Sequence, residues 1–209
     1  MAIIIYGAGG QARVLIELMD RAGIGPAVGL VDDNASLHGT KIDGIPVLGT
    51  LDRMPALVRE HQLQQAVIAV GNNAARKKCA TQARSLGLRL PVLIHPSAYV
   101  SPTAKLGAGT VVLIGAVIGA HAIAGELCII NTRSSVDHEC ILGDFVHIAP
   151  GVTLAGSVHV GSGTLIGVGA SVLPGIRIGE DAIVGAGAVV IGEVPSRAKF
   201  VGNPARALK

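Results

Sequence analysis

The chain has 209 residues, half of them hydrophobic, yet it holds only two Phe, two Tyr and no Trp. Its formal charge of +3 comes with no basic run longer than Arg76-Lys77-Lys78 and no interleaved aromatics, which argues against a nucleic-acid surface. Three cysteines without CxxC spacing, and an N-terminus with no charged region ahead of a long apolar stretch, set the expectation of a reduced, cytoplasmic protein with no membrane insertion.

Residues 1–93 read as a small α/β domain. Ala2–Tyr6 is an apolar, β-branched run and predicts a buried strand that ends at Gly7-Ala8-Gly9-Gly10. A helical pattern follows, with Val14, Leu15, Leu18 and Met19 on one face. Ala27–Val31 predicts a second strand, closed by Asp32-Asp33-Asn34. Leu51–His61 predicts a helix, Ala66–Val70 a third strand ending at Gly71-Asn72-Asn73, and Ala74–Leu86 another helix. Strands alternating with helices predict a parallel sheet of three or four strands. The strand, glycine turn and helix at the start resemble a dinucleotide-binding turn, in which backbone N–H groups receive phosphates. Ala12 stands where the third glycine of GxGxxG would be.

From Ile94 the period becomes six. Positions 94, 100, 106 and onward in steps of six to Val190 are Ile, Val or Leu, with Ala124 as the single departure. Four places after each comes a small or β-branched residue, as in Ala104, Thr110, Ala116, Ala122, Cys128, Ser134, Cys140 and Val146. A six-residue period held this long predicts a parallel β-helix over 94–195, three hexads to each 18-residue coil, with the aliphatic residues stacked inside. Residues 196–209 break the period and are read as a cap and tail.

Four histidines lie in the repeats: His121, His138, His147 and His159. His138 falls third in its hexad, at an outward corner, and Glu139 follows it; a carboxylate beside an imidazole suits a general base. Coil arithmetic stacks Gly156 one coil beyond His138, about 4.8 Å away. Its bare backbone N–H is read as a donor to a thioester oxyanion. Cys128 and Cys140 fall at inward positions and read as core, and no metal site is expected.

Taken together, Tyr6-Gly-Ala-Gly-Gly10, Val31-Asp-Asp33, Val70-Gly-Asn-Asn73, Asn131, Asp137-His-Glu139, His147 and Gly202-Asn-Pro204 carry a resemblance over nearly the whole chain. It resembles the sialic acid O-acetyltransferase and nucleotide-amino-sugar N-acetyltransferase family, which includes bacillosamine- and perosamine-type enzymes. The resemblance implies a Rossmann-like nucleotide-sugar domain, a left-handed hexapeptide-repeat β-helix and a homotrimer with active sites between subunits. Acetyl-CoA is implied as co-substrate, with no permanently bound cofactor. By the same resemblance His138 and Glu139 are catalytic. His147, Val168 and Ala186, with Gly156, lie along acetyl-CoA. Gly9, Gly10, Gln11, Asp32, Asp33, Gly71, Asn72 and Asn131 meet the acceptor. Many relatives carry His where Gln11 stands.

The expected activity is therefore direct transfer of acetyl from acetyl-CoA to the amino group of a nucleotide-linked amino or dideoxy sugar. Two alternatives stand beside it: sugar O-acetylation of the sialic acid type, and a non-catalytic β-helix that binds nucleotide-sugar.

Overall fold

The computed structural model describes residues 2–208. The chain divides into two compact units, Met1–Leu93 and Ile94–Lys209.

The first unit is a five-stranded α/β fold. In chain order it holds β1 (Ile3–Tyr6), α1 (Gly10–Arg21), β2 (Gly29–Val31), β3 (Lys41–Ile42), β4 (Ile45–Gly49), α2 (Met54–Glu60), β5 (Gln65–Ile68) and α3 (Asn73–Ser85). The sheet order is β3-β4-β2-β1-β5. Four strands run parallel, and β3 pairs antiparallel with β4, so the sheet is mixed where the sequence reading predicts a parallel one. The hairpin has a legible cause. Asp43-Gly44 forms its two-residue turn with both φ values positive, the backbone an Asp-Gly pair favours.

On α1 the core face is Ala12, Leu15, Leu18 and Met19. Val14 is exposed, because it lies one position off the stripe that recurs every three to four residues. The segment predicted as one helix from Leu51 begins as a 3-10 turn, Leu51–Arg53, before α2.

The second unit is a three-sided parallel β-helix. Face one holds six two-residue strands from Tyr99–Val100 to Val189–Val190, and face two holds five from Lys105–Leu106 to Arg177–Ile178. Face three holds eight from Leu93–Ile94 to Arg206–Ala207. Each strand pairs with the one 18 residues on, as Val117 does with Ser135 and His147 with Leu165. From Val112 to Val190 the inward aliphatic of each strand is buried, whereas Ile94, predicted inside, is 38% exposed at the open first coil and Val100 and Leu106 are only partly buried. Burying each Val, Leu or Ile contributes roughly 1.5–3 kcal/mol. Thr110, Ser134, Cys140 and Val146 fill the corners and are buried.

The last coil is two residues shorter than the rest, because Ile183 pairs with Lys199 and Ile178 with Val194. The strand Arg206–Ala207 then turns back antiparallel onto Lys199–Val201. Ala205 is buried against the final coil, so the tail covers an end that would otherwise present an open edge.

Candidate active site

Corners of the β-helix leave the backbone hydrogen-bonded between coils, which frees their side chains for other work. Asp137-His138-Glu139 turns the corner between faces one and two. Glu139 has φ of +58° and its N–H donates to Ala120 O at 2.9 Å. The His138 N–H is held by the Asp137 carboxylate at 2.7 Å. Both side chains are more than half exposed. His138 Nδ1 lies 3.3 Å from Glu139 Oε2. Since an ionised carboxylate only accepts, Nδ1 carries the hydrogen and Nε2 keeps its lone pair when the ring is neutral. The same Glu139 oxygen accepts from Ser157 Oγ at 3.3 Å.

Gly156 lies where coil arithmetic puts it, and its bareness serves a different neighbour. A Cβ there would stand 2.4 Å from both Cε1 and Nε2 of His138, so the imidazole itself occupies the space beside the glycine. The sequence reading leaves that space to a ligand. The Gly156 N–H has no hydrogen-bond acceptor among the described residues, whereas its carbonyl accepts from Gly175 at 3.0 Å.

His147 and Asn131 meet elsewhere on the coil, and Val168 and Ala186 stand two and three coils beyond Asn131. The Asn131 amide nitrogen lies 3.3 Å from His147 Nε2. Val168 and Ala186 stack on the corner between faces three and one, where Gly187 N–H donates to Val168 O at 2.8 Å. Within one chain Asn131, Val168 and Ala186 lie on the edge of face one opposite His138, and His147 stands on the adjoining face three. Along face one the outward residues are nearly uncharged. Tyr99, Val117, Leu173 and Ile191 are exposed, and Asp137 is the one charged residue in the two outward columns.

Cys140 sits two residues from His138 on the other side of the coil wall. It is fully buried, its Sγ donates to Ala155 O at 3.1 Å, and burial pushes its thiol pKa up. A thiol protonated and enclosed in this way is a poor nucleophile.

In the first unit the candidate residues gather at the carboxyl ends of the parallel strands, where open α/β sheets bind ligands. Gly9 and Gly10 start α1 with open space at both Cα atoms. Gly7, at φ +98°, is required by close packing, since a Cβ would lie 2.7 Å from Ala69 O. The Gln11 amide nitrogen is buried and has no partner among the described residues. The two aspartates are already engaged. Asp32 accepts from the Ala8 N–H at 2.8 Å and the Asn34 N–H at 2.8 Å, and Asp33 accepts from the Leu51 N–H at 3.1 Å. Asn72 caps α3 through the Ala75 N–H at 2.9 Å. Beside Asp33 opens a cleft of about 1030 Å³ whose lining includes Thr50, Asp52, Lys77 and Lys78.

Comparison with known proteins matches residues 2–83 to the PglD N-terminal domain and residues 157–192 to the bacterial transferase hexapeptide repeat. A GDP-perosamine N-acetyltransferase of Escherichia coli is 30% identical, with 98% of this chain and 95% of that protein aligned. The chain belongs to the PglD-type family of hexapeptide-repeat acyltransferases. Two solved members superpose closely. PerB from Caulobacter crescentus, in complex with CoA and GDP-perosamine, is 41% identical with a TM-score of 0.94, covering all of this chain and 98% of that one. The acetyltransferase domain of PglB from Neisseria gonorrhoeae, in complex with acetyl coenzyme A, is 37% identical with a TM-score of 0.89, covering 99% and 98%. The coil is thus the left-handed β-helix of this acyltransferase family, for which CoA thioesters are co-substrates.

Two residues of this family member escape the sequence reading. Ser157 is reachable by the 18-residue arithmetic that finds Gly156, applied to Glu139. Arg76 is not reachable that way. It is a buried cation on α3 whose guanidinium donates to Val70 O, Gly71 O and Asn73 Oδ1, clamping the loop that carries Gly71 and Asn72. Among the described residues no helix is long and apolar enough to cross a membrane, and no three His, Cys, Asp or Glu side chains group for a metal ion.

Proposed function

We propose that the protein transfers acetyl from acetyl-CoA to the amino group of a nucleotide-linked amino sugar, with His138 as general base. The observation that carries this reading is the exposed imidazole whose Nδ1 faces Glu139, leaving Nε2 to accept a proton. It is joined by relatives that acetylate GDP-perosamine or hold it together with CoA.

The amine attacks the thioester carbonyl as Nε2 takes its proton. The Gly156 N–H, which lacks an acceptor among the described residues, donates to the developing oxyanion. The C–S bond then breaks, and the imidazolium returns its proton to the departing CoA thiolate. Transfer is direct, and Cys140 is too deeply buried to form an acyl-enzyme. Glu139 orients the ring and stabilises the imidazolium.

His147 and Asn131, with the backbones of Val168 and Ala186, bind acetyl-CoA and the acceptor from a neighbouring copy. His138 lies on the opposite edge of face one from Asn131, Val168 and Ala186, so a site uniting them draws on two protomers. The exposed apolar residues of face one, Tyr99, Val117, Leu173 and Ile191, support a homotrimer packed about those faces. In the domain 1–93, Gly9, Gly10 and the Gln11 amide meet the phosphates. Asp32, Asp33, Gly71 and Asn72 frame the nucleoside. A cytoplasmic location, where both co-substrates would be met, belongs to the same reading.

The test is His138→Ala, assayed for CoA release with GDP-, UDP- and CMP-linked amino and hydroxy sugars, with products read by mass spectrometry. A loss of about 10²–10⁴ in kcat with an intact trimer supports the base. Wild-type turnover refutes it, and acetyl found on oxygen refutes the amine assignment.

A further inference from the structure

We propose that Ser157 is a positioning residue for the His138 imidazole, acting through the Glu139 carboxylate. This rests on the reading of His138 as base and goes beyond it, because it explains what holds an exposed acid–base pair in one geometry.

Glu139 has a flexible side chain, 63% exposed, and an unanchored carboxylate of this kind samples many rotamers. Ser157 stands one coil further along the same corner. Its backbone N–H is fixed by His138 O at 2.8 Å, at φ of +58°, and its hydroxyl meets Glu139 Oε2 at 3.3 Å. That oxygen is the one facing His138 Nδ1 at 3.3 Å. Both contacts are long, as catalytic hydrogen bonds often are before substrate closes the site.

The hydroxyl is not spent on the coil. Other corner hydroxyls satisfy backbone N–H groups of adjacent coils, as Ser97 does for Gly115, Thr103 for His121, Ser162 for Asp144 and Ser196 for Glu180. Ser157 Oγ instead reaches a side chain. Its chain neighbour Gly156 leaves room for the imidazole ring. The pair Gly156-Ser157 therefore fixes the base from two sides: one residue makes space for the ring, and the other ties down the carboxylate that orients it. When Nε2 takes the amine proton, Nδ1–H stays on Glu139, and the Ser157 O–H keeps that carboxylate beside the new cation.

The experiment compares Ser157→Ala, Ser157→Gly and Ser157→Asn, alone and in a Glu139→Ala background, with His138→Ala alongside. Glycine favours the left-handed backbone but lacks the donor, whereas Asn tolerates that backbone and keeps one. Ala and Gly should each lower kcat about fivefold to tenfold with both KM values within about twofold and unchanged melting, while Asn stays within about twofold of wild type. In the Glu139→Ala background the Ser157→Ala loss should vanish, since the two act as one unit. Wild-type kcat in both Ala and Gly variants, or an undiminished loss without Glu139, overturns the proposal. If His138→Ala is inactive while those results fail, only the Ser157 inference falls; if His138→Ala turns over normally, the base reading falls and takes this inference with it.

Discussion

The two units solve the placement of polar side chains in opposite ways. In the β-helix, coil-to-coil hydrogen bonds and corner side chains such as Ser97, Thr103 and Asp137 satisfy most of the backbone, so the His138 and Glu139 side chains hold no backbone N–H of their own. In the first unit the loops at the carboxyl ends of the strands have no such ladder. Asp32, Asp33 and Asn72 hold backbone N–H groups themselves. The chemistry of the β-helix is therefore separable from its stability, while the loop residues of the first unit are bound up with the fold.

Gly156→Ala is the sharpest way to break that separation. The new Cβ meets the imidazole 2.4 Å away, and a side chain yields more cheaply than a backbone, so the ring should leave its position. We expect kcat to fall by about 10²-fold, because a small misplacement of a base costs that much, with little change in melting temperature. A large drop in melting with normal kcat in the surviving enzyme would contradict the contrast.

Asp32→Ala should behave in the reverse manner. It strips the acceptor from the Ala8 and Asn34 N–H groups, costing about 1–3 kcal/mol of stability in denaturant titrations. Activity at saturating nucleotide-sugar should be retained, with a raised KM for that substrate. Asn72→Ala removes a helix cap and should cost about 1 kcal/mol by the same measurement. The smallest signal concerns thiols. Burial pushes the Cys79 and Cys140 thiols up, with Asp33 and Asp32 adding to the effect at Cys79, so both stay protonated where a free cysteine begins to ionise. Native protein should react slowly with DTNB at pH 8 and rapidly at all three cysteines in denaturant, which also leaves a clean baseline for CoA release.

The hexad register from Ile94 to Val190 was legible from the sequence, because one inward aliphatic per flat side is the only way such a short period buries apolar surface. The same register locates His138 on an outer corner and Gly156 one coil away. The β3–β4 hairpin escaped because β3 has only two residues and β4, though its burial alternates, reads Ile-Pro-Val-Leu-Gly with apolar residues on both faces, although Asp43-Gly44 marked its turn. Val14 misled because an apolar residue beside a helix stripe looks like part of it.

By itself the sequence determined the coil, its inward ladder, the corner that bears the imidazole and the division into an α/β part and a repeat part, since these follow from spacing and from the need to hide aliphatic side chains. Only the tertiary structure decided what each polar group touches. It gave the space beside Gly156 to His138, turned Ser157 toward Glu139, and committed Asp32 to the Ala8 N–H and Asp33 to the Leu51 N–H. Such contacts depend on side-chain rotamers and on loops meeting across tens of residues, which no local period encodes.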